Sequence, residues 1–132
     1  MDKLILLIDD DILPMKYYLH AFEKSGFKTV QHTNPDEALE FIQKNEGYIS
    51  GIILDIMMPT GDKYNKSDAN QGLTTGILLF KDIKKQYPKI PIIIFTNVKN
   101  KETLSKIKSK YIFHKMEEPP FKLLSIVKEI LK

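Results

Sequence analysis

Lys3-Leu4-Ile5-Leu6-Leu7-Ile8-Asp9-Asp10-Asp11 sets five unbroken apolar residues directly against three consecutive aspartates. A strand with one wet face alternates apolar and polar residues. An unbroken apolar run of this length marks a strand covered on both faces, the condition of a parallel sheet between helices. The pattern recurs along the chain. Gly51-Ile52-Ile53-Leu54 runs into Asp55, Pro91-Ile92-Ile93-Ile94-Phe95 runs into Thr96, and a short run at 111–114 is followed by Lys115. Residues 27–32 read as a further strand.

Helical patterns fill the intervals. Ile12–Lys24 carries Leu13, Tyr17, Leu19 or His20, and Phe22 at three- and four-residue spacing and stops at Ser25-Gly26. Asn34-Pro35-Asp36-Glu37 is a helix start, with a side-chain cap, a proline at the first helical position and acids in the first turn. Ala38, Leu39, Phe41 and Ile42 give that helix its buried stripe. Residues 76–87 place Ile77, Phe80, Ile83 and Tyr87 on one side, and Pro88 closes the segment. A lysine-rich helix with Leu104 and Ile107 is expected over 101–110. A last one over 121–132 turns Leu123, Leu124, Val127, Ile130 and Leu131 inward. Five β-then-α units in succession predict an α/β fold with a parallel sheet and helices on both faces. In such sheets the functional site lies outside the carboxyl ends of the strands.

Composition narrows the function. The 132 residues are 42% apolar and 28% charged, the profile of one globular domain spanning 1–132, and no apolar run approaches the ~18–20 residues of a membrane span. The start has no signal-peptide pattern. Without cysteine there is no disulfide frame and no thiolate metal site, so a reducing, cytoplasmic setting is expected. Net charge is only +3, and all twenty basic residues are lysines. Arginine is the usual tool for bidentate contacts to guanine and phosphate, so direct nucleic-acid binding is not expected. The lysines around 99–115 read as a solvated face. His20, His32 and His114 are scattered without metal-like spacing, Met57 and Met58 do not form a sulfur site, and packing accounts for Tyr17 and Tyr18.

The strand ends collect Asp9, Asp10, Asp11, Asp55, Thr96 and Lys115 on one rim. One acid at a strand end is ordinarily a cap or turn residue. Several carboxylates from two strands repel one another unless a cation joins them, and hard oxygen ligands with room for water suit Mg2+. A hydroxyl and an ammonium across the site are what the equatorial oxygens of a transferred phosphoryl group require. The residues therefore point to magnesium-assisted phosphoryl chemistry.

Leu6-Leu7-Ile8-Asp9-Asp10-Asp11, Leu54-Asp55-Ile56-Met57-Met58-Pro59 and Ile92-Ile93-Ile94-Phe95-Thr96-Asn97, with Lys115 after a fifth strand, resemble the receiver domain of response regulators in two-component signal transduction. The resemblance covers nearly the whole chain, and the acidic pair with the Leu-Asp-x-x-Met-Pro motif is its specific part. It implies a flavodoxin-like (βα)5 fold with a doubly wound sheet in the order 2-1-3-4-5. It also implies that Asp55 is the phosphoacceptor, forming an aspartyl phosphate. Asp10, Asp55 and the Met57 backbone carbonyl would bind Mg2+ directly, and Asp9 mainly through water or a second contact. Thr96 would hydrogen-bond a phosphoryl oxygen, and Lys115 would pair with Asp55 and then with the phosphoryl group. Asp11 reads as a turn and helix-start residue. The implied partners are a histidine kinase or histidine phosphotransfer protein and an unknown downstream protein, met through the face built from 101–132. The chain would act as a stand-alone phosphoprotein, a monomer or a phosphorylation-dependent dimer, catalysing only its own phosphorylation and dephosphorylation. The alternative is a degenerate receiver that binds a partner without phosphoryl chemistry.

The chain departs from the family pattern at three places. Sixteen residues, 60–75, separate Pro59 from Gly76, where receivers have only a few; loops beyond ~12–15 residues are commonly functional or disordered. Both a decorative insertion and a lid or partner contact are open. A calcium-loop reading of Asp68, Asn70 and Gly72 lacks the closing glutamate. Lys115 is followed by Met116 rather than proline, which leaves its aim undefined. Asn97 follows Thr96 where receivers carry a small residue, and the position of the family's switch aromatic falls on Ile112. An aspartyl phosphohydrolase would need a second acid at Met57, and a flavodoxin would need a phosphate loop where three aspartates stand.

Overall fold

A computed structural model describes residues 3–132. The strands are β1 (Leu4–Ile8), β2 (Lys28–His32), β3 (Ile49–Leu54), β4 (Ile92–Thr96) and β5 (Ile112–His114). The helices are α1 (Ile12–Lys24), α2 (Pro35–Asn45), α3 (Thr75–Gln86), α4 (Lys101–Ser105) and α5 (Pro120–Ile130). The strands form one parallel sheet in the order β2-β1-β3-β4-β5. That is the expected flavodoxin-like topology. Right-handed crossovers explain the layers. The step from β1 out to β2 puts α1 on one face, and the steps back through β3, β4 and β5 put α2, α3 and α4 on the other.

Side-chain parity divides the core accordingly. Leu6, Ile8, Ile52, Leu54, Ile92 and Ile94 pack with Ala38, Ile42, Ile77, Phe80, Ile83 and Ile107. Ile5, Leu7, Ile53, Ile93 and Phe95 pack with Met15, Phe22, Leu123 and Val127 from α1 and α5. Both faces of each central strand are thus covered, which is why the sequence shows no alternation there. No helix among the described residues is long and apolar enough to cross a membrane.

Some expectations need correction. α4 ends at Ser105 rather than 110. Leu104 and Ile107 are too short a stripe to extend it, and Lys106 and Lys110 would be like charges one turn apart. On α1 the buried residues are Met15 and Phe22, while Leu13 and Tyr17 face solvent at 76% and 73% exposure. β3 starts two residues before Gly51, and α5 starts at Pro120 with Pro119 preceding it.

The insertion at 60–75 is folded down. Ala69 is fully buried, and the Met58 amide donates to the Gly72 carbonyl at 3.2 Å. The Thr75 hydroxyl donates to the Met58 carbonyl at 2.7 Å. Tyr64 donates to Asp82 on α3, and the Asp62 amide donates to Asp36 on α2 at 2.7 Å. Burial and Asp82 both raise the Tyr64 pKa, which keeps that hydroxyl a donor.

Gly76 lets α3 start against the strand that carries Asp55. Its amide donates to the Ile56 carbonyl at 2.7 Å, and a Cβ there would stand 2.1 Å from the Asp55 carbonyl oxygen and 2.5 Å from the Ile56 Cα. Both obstacles are backbone and cannot swing aside. Gly76→Ala is expected to destabilise the chain by about 2–3 kcal/mol, read by urea or thermal denaturation. An unchanged midpoint would show that α3 can shift without penalty.

Candidate functional site

Asp9 is the pivot of the rim at the carboxyl end of the sheet. It is 1% exposed, and its amide donates to the His32 carbonyl at 3.0 Å, continuing the β1–β2 ladder. One carboxylate oxygen accepts the Asp11 amide at 2.9 Å, folding the turn into α1. The other lies 2.7 Å from the Lys115 ammonium. Gln31 of β2 clamps the same turn, its side-chain amide donating to the Asp9 carbonyl at 2.8 Å. Sequence reading missed Gln31, since a polar residue in a half-buried edge strand carries no local signal of what it faces.

Asp55 is held on β3 with its amide donating to the Ile8 carbonyl at 3.0 Å. Its Oδ1 accepts the Ile56 amide at 2.7 Å, and its Oδ2 is 2.9 Å from Lys115 Nζ. Thr96 ends β4 fully buried; its carbonyl accepts the Lys115 amide at 3.1 Å, and its hydroxyl oxygen accepts the Val98 amide at 3.2 Å. Lys115 also reaches Asp11 at 3.5 Å, with its own side chain 9% exposed. Asp10 is exposed at the mouth. Asp10, Asp11, Asp55, Met57, Thr96, Asn97 and Val98 line a cleft of about 220 Å³.

The carboxylates of Asp9, Asp10, Asp11 and Asp55 can bring one oxygen each within 4.8 Å of one another. One ammonium faces four carboxylates, and burial adds to the cost of ionising them. Burial, then the charge of Asp55, push Asp9 from an ordinary 3.8 up to about 6 even though Lys115 opposes the shift. Burial also raises Asp10. Burial alone would lower Lys115, but Asp55 and Asp9 outweigh it and hold the ammonium well above its usual range. Crowded hard oxygens with an uncompensated negative charge fit a small divalent cation. Among the described residues, Asp68 of the insertion belongs to no such group. All the residues singled out for the site from sequence therefore lie on one rim, with Met57 contributing to the cleft and Thr96 to its wall.

A family model described as the response regulator receiver domain matches residues 5–117. Among solved structures, a CheY-like response regulator receiver domain protein from Methanospirillum hungatei JF-1 is similar at 22% identity and TM-score 0.77, covering 99% of this chain and 94% of that one. A response regulator from Thermotoga maritima is similar at 16% identity and TM-score 0.76, covering 99% of this chain and 98% of its own. NtrX from Brucella abortus is 25% identical with TM-score 0.77, and there the match covers 99% of this chain but 27% of the longer one.

The raised Asp9 has a consequence for stability. Its folded value exceeds its unfolded one, so the folded state binds more protons between about 3.8 and 6. Stability of the metal-free chain from this group falls as pH rises through that window, by on the order of 2–3 kcal/mol. Asp9→Asn is expected to raise the melting temperature in chelator at pH 7, with the gain vanishing below about pH 4. Magnesium is expected to stabilise the native chain more than the variant. A variant that melts lower than the native chain at pH 7 in chelator would show that the pairing with Lys115 outweighs the repulsion.

Proposed function

The chain belongs to the response regulator receiver domain family, and on that premise we propose that it accepts a phosphoryl group on Asp55 from a histidine kinase or histidine phosphotransfer protein. The observation that carries the reading is the Asp55 carboxylate, 6% exposed, 2.9 Å from the Lys115 ammonium and beside Thr96 in one cleft. An Asp55 oxygen would form the new P–O bond as the P–N bond of the donor phosphohistidine breaks, the electron pair leaving with the imidazole nitrogen. Lys115 is close enough to exchange one oxyanion for another, from the carboxylate to a phosphoryl oxygen. The Thr96 hydroxyl can donate to a second phosphoryl oxygen while still accepting from Val98.

Asp9, Asp10, Asp55 and the Met57 carbonyl would hold Mg2+, which when bound neutralises the repulsion between carboxylate and phosphoryl oxygens. Without such compensation an anionic donor would approach a site of excess negative charge. The result of transfer is an acyl phosphate that changes a protein-binding face, with 101–132 the segment attached to Lys115. This reading places the chain in the cytoplasm, where a phosphohistidine donor would be made.

Intact-mass analysis after incubation with acetyl phosphate tests the proposal. One phosphoryl mass is expected that needs both magnesium and Asp55, and Asp55→Asn should abolish it. Lys115→Ala should slow labelling about 10- to 100-fold, the scale of a charge-assisted hydrogen bond. No adduct, under conditions that label another receiver, would leave a binding module that works without phosphoryl chemistry.

A further inference from the structure

Lys115 follows the shortest strand of the sheet, three residues at its edge, and five residues separate that strand from α5. Such a segment has little of its own to aim a side chain. The turn is closed locally by the Glu117 and Glu118 amides, which donate to the His114 carbonyl at 3.0 and 3.1 Å. Its link to the neighbouring strand is the Lys115 amide on Thr96. No ring stiffens the residue after the lysine, because Met116 stands there, 81% exposed, and the prolines wait until 119 and 120. Yet the ammonium is held between Asp9 and Asp55 at 2.7 and 2.9 Å.

Tyr18 supplies the missing constraint from the far side of the chain. Its hydroxyl donates to the Glu118 carbonyl at 2.8 Å and lies 3.4 Å from the Lys115 carbonyl. Its ring meets Phe95 edge-on with centroids 5.0 Å apart, one residue before Thr96. Burial raises the pKa of this phenol, Lys115 opposing and Glu118 adding, so the hydroxyl stays protonated and able to donate. α1, which carries Tyr18, begins immediately after Asp9-Asp10-Asp11. One side chain therefore ties the lysine turn to the helix that grows out of the acid cluster.

We propose that Tyr18 is a positioning residue, whose hydroxyl anchors the 115–118 turn to α1 and so fixes the Lys115 ammonium between Asp9 and Asp55. Its consequence for phosphorylation rests on the phosphoacceptor reading above. Tyr18 touches no reacting atom. Packing alone would need only the ring, which Phe95 already engages; the hydroxyl is spent on the turn.

Tyr18→Phe keeps the ring and removes that one bond. Two readouts separate positioning from packing: the initial rate of magnesium-dependent labelling by acetyl phosphate, and the rate of trace amine acylation at each lysine, mapped by peptide mass without phosphodonor. Labelling is expected to slow about 3- to 10-fold, the scale of one lost neutral hydrogen bond. Acylation of Lys115 should rise by a similar factor while lysines remote from the turn, such as Lys44 on α2, stay unchanged. Unchanged Lys115 reactivity overturns the inference, as does unchanged labelling in a native chain that labels. A uniform rise across all lysines assigns Tyr18 to the fold alone and overturns it too. If the native chain never labels, the phosphoacceptor reading fails, and the acylation arm still decides whether Tyr18 holds the lysine.

Discussion

A single ammonium set among four carboxylates governs the functional end of this molecule. Parallel strands deliver Asp9 and Asp55 to the same rim because β1 and β3 are neighbours whose register pairs Ile8 with Leu54. Each residue that follows must then project beyond the sheet at the same height. The two acids would repel without compensation, and Lys115 reaches both within 3 Å. At Asp9 burial first, and then the charge of Asp55, outweigh what the lysine supplies, and its pKa stays raised. A site with this residual charge has capacity for a divalent cation and for exchange of the lysine's partner. A fully neutralised salt-bridge network would have neither.

The central sheet and the rim were legible in the sequence because each is written locally. Unbroken apolar runs follow from burial on both faces, and the chemistry-bearing residues occupy the first positions after those runs. The cap at Asn34 was equally legible, and the structure shows its side chain accepting the Glu37 amide at 3.0 Å. What escaped depends on contacts between distant segments. Leu13 and Tyr17 share the composition of a core stripe, yet Met15 and Phe22 take the inward face because α1 must also meet α5. Tyr18 looked like packing, since nothing near it in sequence announces a carbonyl 100 residues away. Gln31 escaped for the same reason.

The insertion illustrates a middle case. Its length and polarity left order and disorder open, and composition could not decide between them. The decision comes from a few side chains that anchor it to the helices on one face. Gly61 approaches Asp36 so closely that a Cβ would stand 2.1 Å from the carboxylate oxygen, with φ at +62°. Tyr64 then reaches Asp82 on α3. The strap joins α2 to α3 across the β3 end, and its last residues hold the Met58 carbonyl, one residue beyond Met57. The segment that follows Asp55 is therefore braced from the side that the lysine does not occupy.

That asymmetry suggests how a charge change at Asp55 would be transmitted. On one side lie β1, β3, the strap and α3, all densely packed and tied by backbone bonds. On the other lie a five-residue helix and a three-residue edge strand whose side chains are all partly exposed. Regions with few buried apolar contacts open at the lowest free energy. Lys115 belongs to the weak side and binds the strong one. Any reaction that gives the ammonium a new anionic partner pulls on the segment least able to resist, while Asp9 and Asp55 stay where the core puts them. The rigidity of the acid cluster and the softness of the lysine edge are thus two halves of one arrangement, joined by the short β4–β5 ladder that ends where Thr96 meets His114.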